Sequence, residues 1–231
     1  MVDNLAVISR GARARHKQLP DEVASYVREL IISGTVRAGE FLRMEPIAEA
    51  VGVSNTPVRE GLLALRSEGL VHLVPRRGFV VAHVTQQDIR DIFWAQAHLA
   101  GELAARAADK ITEEQLERLR ANIEQYRRVI AGTEQGDIAH LGHAFHREVN
   151  LAADSNRLAL LLGSVVKQLP NTFYAAIEGQ VQDANGEHPK MLEALQARDA
   201  RAVRALMQEH ILEGADSLID TLAKRGFWAA R

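Results

Sequence analysis

Ser54-Asn55-Thr56-Pro57-Val58-Arg59-Glu60-Gly61-Leu62-Leu63-Ala64-Leu65-Arg66-Ser67-Glu68-Gly69-Leu70 is the stretch on which the reading of this chain turns. The Ser54 hydroxyl can accept hydrogen bonds from free amides at a helix start, and Pro57, which lacks an N–H, is tolerated in a first turn. Val58, Leu62 and Leu65 recur at helical spacing and make a single apolar stripe. Asn55, Thr56, Arg59 and Arg66 lie off that stripe, so the outer face carries side chains able to read base edges or hold phosphates. Gly69 stops the helix where a C-terminal glycine belongs. Upstream, Ile47-Ala48-Glu49-Ala50-Val51-Gly52-Val53 reads as a shorter helix closed by a glycine turn. The pair fits a helix-turn-helix with the second helix as the reader. On this pattern alone an ordinary helical hairpin fits as well.

The residues after the helix separate these two possibilities. Leu70-Val71-His72-Leu73-Val74 and Gly78-Phe79-Val80-Val81-Ala82 are short β-branched runs around Pro75-Arg76-Arg77-Gly78, a hairpin with a basic tip. Such a hairpin is the wing of a winged helix, and its arginines are placed to enter a minor groove or clamp phosphates. The run Val53-Ser54-x-Thr56-Pro57-Val58-Arg59-Glu60-x-Leu62-x-x-Leu65-x-x-Glu68-Gly69-Leu70, then Arg76-Arg77-Gly78, closely resembles the signature of the GntR superfamily of bacterial regulators. The resemblance implies DNA contacts at Asn55, Thr56, Arg59 and the wing glycine Gly78, with Ser54, Arg76 and Arg77 beside them. Arg43 and Glu45 lie near the start of the next helix, where a relative has an arginine on DNA; Glu45 occupies that slot, with Arg43 beside it as a candidate contact. Asn55 stands where an arginine is common, which shifts the preferred base from guanine toward adenine.

At 231 residues and 47% apolar content the chain is long enough for one large domain or two small ones with real cores. Lysine and arginine number 28 against 30 acidic residues, which argues against a wholly basic, histone-like binder. Residues 1–82 carry a net charge of +2 and residues 83–231 one of −4, a mild asymmetry that supports a DNA-binding N-terminal part. There is no cysteine, so disulfides and thiolate metal sites are excluded. The most apolar run, Leu158 to Val166, falls far short of the roughly 20 residues that span a bilayer. No signal-peptide core opens the sequence, so the expectation is a soluble cytoplasmic protein without a membrane partner.

Residues 1–18 read as a flexible basic tail with Arg10, Arg13, Arg15, His16 and Lys17. Residues 19–83 form the winged helix-turn-helix. Its first helix starts at Leu19-Pro20-Asp21, turns Val23, Tyr26, Val27, Leu30 and Ile31 to one side, and ends near Gly34. A turn and a short extended stretch over Val36 to Leu42 come next.

Residues 84–231 change character, with six helical segments between Asp88 and Arg225 and no convincing strand. Thr112-Glu113-Glu114-Gln115 is a capping box opening a helix to about Ala131, and Gly132 to Gly136 is a loop. Asp137 begins a helix carrying His140, His143 and His146, and Asp154-Ser155-Asn156 punctuates the next. Leu158 to Tyr174 is apolar on nearly all sides, as in a buried central helix or a subunit interface. Val181 to Glu187 reads as a loop, and Asp199 caps the last helix. The fold class expected is mainly α: a winged helix-turn-helix followed by an all-α bundle.

The bundle resembles the FCD ligand-binding domain of the FadR-like branch. Phe145-His146, Ala152-Ala153-Asp154-Ser155-Asn156-x-Leu158, Glu187-His188-x-x-x-Leu192-x-Ala194-Leu195, Asp199 and Glu209-His210-Ile211 carry the likeness. It implies a divalent metal bound by one aspartate and three histidines, helping to hold a small organic acid, and places His146, His188 and His210 on the histidine positions. Three neutral imidazoles with an open fourth position independently suit Zn or Ni. Gly142 occupies the aspartate position, and His143 is the substitute within one turn of His146. Gln96 and Ala100 fall where the branch carries an arginine and a glutamate that line the effector pocket. Without that arginine a carboxylate loses a bidentate partner, which favours a less charged, bulkier ligand or a different use of the metal.

These readings converge on a one-component transcription regulator: a homodimer on double-stranded, palindromic operator DNA, controlled by a small-molecule effector. Two other classes compete. A metalloenzyme on the three histidines needs a general base, and no His-Glu-x-x-His spacing supplies one; Glu187 adjoins His188, but neighbouring helix residues point apart. An effector-independent DNA-binding protein requires a filled bundle core, with no pocket around the histidines.

Overall fold

The structure, a computed structural model, describes residues 19–170, 184–224 and 226–228; the basic tail of residues 1–18 and residues 171–183 lie outside the described residues. The chain divides between Thr85 and Gln86 into two compact units.

The first unit is a small α/β assembly. Helix α1 covers residues 19–32, β1 Phe41–Leu42, α2 Met44–Val51, α3 Asn55–Ser67, β2 Val71–Val74 and β3 Gly78–Val81. The strands form one antiparallel sheet in the order β1-β3-β2, with Phe41 opposite Val80 and Leu73 opposite Phe79. Alternation along β3 turns Phe79 and Val81 inward. They join Val23, Val27 and Ile31 of α1, Ile47 of α2 and Val58, Leu62 and Leu65 of α3, all essentially buried. Helix α3 can lie this close to α1 because of Gly61, where a Cβ would come within 2.8 Å of the Pro20 carbonyl and of Val23.

Two local expectations need correcting. Ser54 is the N-cap of α3 but its side chain makes no capping hydrogen bond. A capping side chain accepts from the second or third helical amide, and the third residue here is Pro57, which has none. On α1 Tyr26 is 36% exposed rather than on the core side; the inward stripe runs Val23, Ala24, Val27, Arg28, Ile31, Ile32. Arg28 enters it because Glu68, just past α3, receives its Nε at 3.2 Å and its Nη2 at 2.9 and 2.7 Å.

The second unit is all-α among the described residues: α4 Gln86–Lys110, α5 Glu113–Ile130, α6 Ile138–Ala152, α7 Asn156–Val166, α8 Ala184–Gln196 and α9 Ala200–Lys224. The capping box forms, with the Gln115 amide donating to Thr112 Oγ1 at 3.2 Å and the Thr112 amide donating to Gln115 Oε1 at 3.0 Å. Asp137 and Asp199 cap α6 and α9 through side-chain oxygens. Long helices α4 and α9 pack along each other, and alanines at 100, 104, 107 and 108 keep α4 slender at its contacts. Leu103, Leu119, Phe145, Val149, Met191, Leu195, Val203 and Met207 fill the core from five helices.

The apolar run from Leu158 is not a buried central helix. It is helical only to Val166; Leu162 is buried, while Leu160 and Leu161 are 67% and 49% exposed, and residues 171–174 lie outside the described residues. Of the loop expected over Val181 to Glu187, residues 184–187 are helical, as part of α8, and residues 181–183 lie outside the described residues. Pro189 sits inside α8. Among the described residues no helix is long and apolar enough to cross a membrane.

Candidate functional site

In the first unit the candidate DNA contacts gather on α3 and the wing. Ser54, Asn55, Thr56 and Arg59 are exposed at the N-terminal end of α3, outside the buried stripe of Val58, Leu62 and Leu65. Arg43 is exposed immediately before α2, as is Glu45 within it. At the tip of the β2–β3 hairpin Arg76 takes a left-handed backbone, φ 62°, and Gly78 has φ 101°. Only glycine occupies that second conformation without strain, so Gly78 shapes the wing through its backbone. Arg77 is exposed but anchored, its guanidinium carbon 4.5 Å from the centroid of the Phe41 ring.

In the second unit three helices bring His146 (α6), His188 (α8) and His210 (α9) together, with one ligand atom from each within 4.8 Å of the others. Ring centroids stand 5.0 Å apart for His146 and His210, 5.1 Å for His188 and His210, and 5.3 Å for His146 and His188. On α6 the buried Phe145 adjoins His146 and fixes its place. Phe145, fully buried, stacks on the His188 ring at 4.2 Å, and the Tyr126 ring meets it edge-on.

Burial keeps the His146 and His188 rings neutral. Burial drives His146 well below the ordinary histidine range, and repulsion from His210 and His188 adds to it. His188 is pushed down to about 3, chiefly by burial, with the neighbouring Glu187 opposing. Glu187 itself is held below the usual carboxylate range by its hydrogen bond with His210. Its Oε2 lies 2.5 Å from His210 Nδ1. Glu213, next to Glu187, is shifted the other way by burial and by that neighbouring carboxylate.

A divalent ion fits this donor set. His188 Nε2 is buried and has no hydrogen-bond partner, a state that costs free energy unless something occupies that lone pair or proton. The His146 and His210 Nε2 atoms approach to 3.1 Å. Neutral, convergent imidazoles with an open position suit Zn or a similar metal. His143, the substitute ligand expected from sequence, is not among the three converging groups.

A cavity of about 500 Å³ opens against this centre. Phe93, Ala100, Leu151, Leu162 and Val166 give it an apolar wall; Gln96, His143, His146, Arg147, Glu187, His210 and Glu213 line it with polar groups. Gln96 and Ala100 are among its lining residues, whereas Gly142 is buried in α6 and is not. Sequence reasoning misses Glu187, Arg147 and Glu213. For Glu187 the signal is present, since it adjoins His188, but adjacency on a helix argues against both side chains serving one site. His188 points into the core while Glu187 reaches His210 from beside it.

A winged helix-turn-helix with an exposed, partly basic reader helix, joined to an all-α unit with a ligand-sized cavity, is the build of a DNA-binding regulator. Residues 19–81 match the family model described as bacterial regulatory proteins, gntR family, and residues 91–213 match that of the FCD domain. The chain belongs to the GntR family of transcription regulators, in the FadR-like branch that carries an FCD domain. Among its relatives, the HTH-type transcriptional repressor RspR of Escherichia coli (strain K12) is 24% identical over 209 residues, 90% of this chain and 92% of that protein. A probable D-xylose utilization operon transcriptional repressor of Paenarthrobacter nicotinovorans is 26% identical over 194 residues, 82% of this chain and 85% of that protein. The solved structure of E. coli McbR/YncC superposes with a TM-score of 0.62 at 20% identity, covering 88% of this chain and 98% of that one, a likeness of fold. These relatives are regulators, not enzymes.

Proposed function

We propose that two copies of this chain bind a palindromic operator and act as a repressor whose DNA affinity is set by a metabolite and a divalent metal in the helical unit. Ser54, Asn55, Thr56 and Arg59 would meet the major groove, Arg76, Arg77 and Gly78 the adjoining minor groove and phosphates, and Arg43 the flanking backbone. Asn55 would read an adenine. Half-sites for two such heads lie roughly 34–36 Å apart, so a change in head placement weakens binding to fixed half-sites.

The observation that carries the ligand-responsive part is the cavity of about 500 Å³ against His146 and His210. An effector-independent DNA-binding protein has no use for such a space. His146, His188 and His210 would hold the metal, which when bound supplies a Lewis-acidic position for an oxygen donor. Arg147 lines the cavity together with Glu187 and Glu213, and Gln96 stands where a further guanidinium would receive a carboxylate, which favours a ligand of low net charge with an apolar body.

Operator affinity measured on the full chain, with and without Zn and with candidate metabolites, tests this. Coupling energies of this kind change affinity about 5- to 150-fold, and the operator must weaken effector binding by the same factor. An operator affinity indifferent to metal and to every ligand that binds the cavity would refute it.

A further inference from the structure

We propose that Glu187 is the positioning carboxylate of the histidine centre, fixing the tautomer of His210 and supplying the negative charge that three neutral imidazoles lack. This rests on the metal reading above. Glu187 lies outside the trio of converging ligands, yet its Oε2 sits 2.5 Å from His210 Nδ1. An ionised carboxylate only accepts, so His210 Nδ1 carries the proton. The opposite tautomer would set two lone pairs against each other at that distance. With the proton on Nδ1, the neutral ring presents the lone pair of Nε2, the atom 3.1 Å from His146 Nε2. The carboxylate thus turns a ring that could face either way into a ligand facing the centre.

Charge makes the same demand. His146, His188 and His210 are neutral donors, and a divalent ion among them would keep its full charge beside the buried Phe145 and His188. Glu187, with a side chain about one-fifth exposed, offsets that charge through one hydrogen bond. Gly142 on α6 offers no carboxylate from the other side. Glu187 therefore acts through His210, polarising its ring and raising the basicity of Nε2.

The test is zinc affinity of the full chain by competition with a chromophoric chelator, for wild type, Glu187→Gln and Glu187→Ala. Loss of such a partner lowers metal affinity roughly 10- to 100-fold, with Gln at the low end because its oxygen still accepts from Nδ1. Two further readouts separate positioning from a merely structural role. Nitrogen NMR of the metal-free protein should show His210 as the Nδ1–H tautomer in wild type and as a mixture in Glu187→Ala. The cobalt-substituted centre should keep its visible absorption in both variants, since no ligand is lost. A wild type that takes up no zinc would overturn the metal reading and this proposal together. Wild-type zinc binding matched within about twofold by Glu187→Ala, or a wild-type His210 protonated on Nε2, would overturn the proposal alone.

Discussion

Replacing Arg28 with methionine should loosen the DNA-binding unit far more than the loss of a charged helix residue usually does. Arg28 is 7% exposed and gives three hydrogen bonds to the Glu68 carboxylate, tying α1 to the end of the reader helix. Methionine keeps most of the aliphatic stem and removes the charge, so the cost falls on Glu68, left with an unpaired carboxylate. Breaking a fully buried pair costs about 3–5 kcal/mol; the Glu68 side chain, 19% exposed, retains some water, which lowers the expectation to about 2–3 kcal/mol. The two units need not unfold together, so a global melt would blur the effect. Amide hydrogen exchange of α1 and α3 reads it directly, and protection there should fall roughly 30- to 150-fold while the helical unit is unchanged. Adding Glu68→Gln should recover part of the loss, because the stranded charge is gone. A fall of less than about threefold in Arg28→Met, or a double variant as unstable as the two single losses combined, would refute the reasoning.

Arg59→Ala should abolish operator binding and leave the circular dichroism melt unchanged, since Arg59 is exposed and off the buried stripe; a variant that still binds removes Arg59 from the interface. His188→Ala should lose stoichiometric zinc, measured by elemental analysis after dialysis, and retention of one zinc per chain would discredit the three-histidine centre. Metal-free protein should weaken in acid. The folded-state pKa values of His188, at about 3, and of His146 lie below the unfolded value of about 6.5, so between those limits the unfolded chain binds more protons. Their stabilisation is whole above about pH 6.5 and is lost as pH falls, at up to about 1.4 kcal/mol per pH unit for His188. Glu187, held low by His210, contributes only nearer pH 4, so urea midpoints at pH 7, 6 and 5 isolate the histidines; a flat series contradicts their burial as neutral rings.

The reader helix is legible in the sequence because its signals agree at every level: a stripe of Val58, Leu62 and Leu65, a glycine stop, then two β-branched runs around a basic turn. In the second unit the helix starts are legible through their caps, Thr112, Asp137 and Asp199. The features that escape depend on neighbours distant in sequence. Arg28 looks like a surface residue until Glu68 is brought beside it. The exposure of Leu160 and Leu161 is set by which helices cover α7, not by their own hydrophobicity. The three histidines are legible as a set, but the part of Glu187 is not, because it depends on where α9 carries His210 past α8.

The central claim is sequence-specific recognition by α3 and its wing, and selection of duplex DNA from a random library by the purified full chain tests it most directly. The account predicts enrichment of an inverted repeat with half-sites about one helical turn apart, an adenine at the position that turns to another base when Asn55 is exchanged for arginine, and no enrichment by Arg59→Ala. A library left unenriched by the wild type, or a motif unaltered by both substitutions, would contradict it.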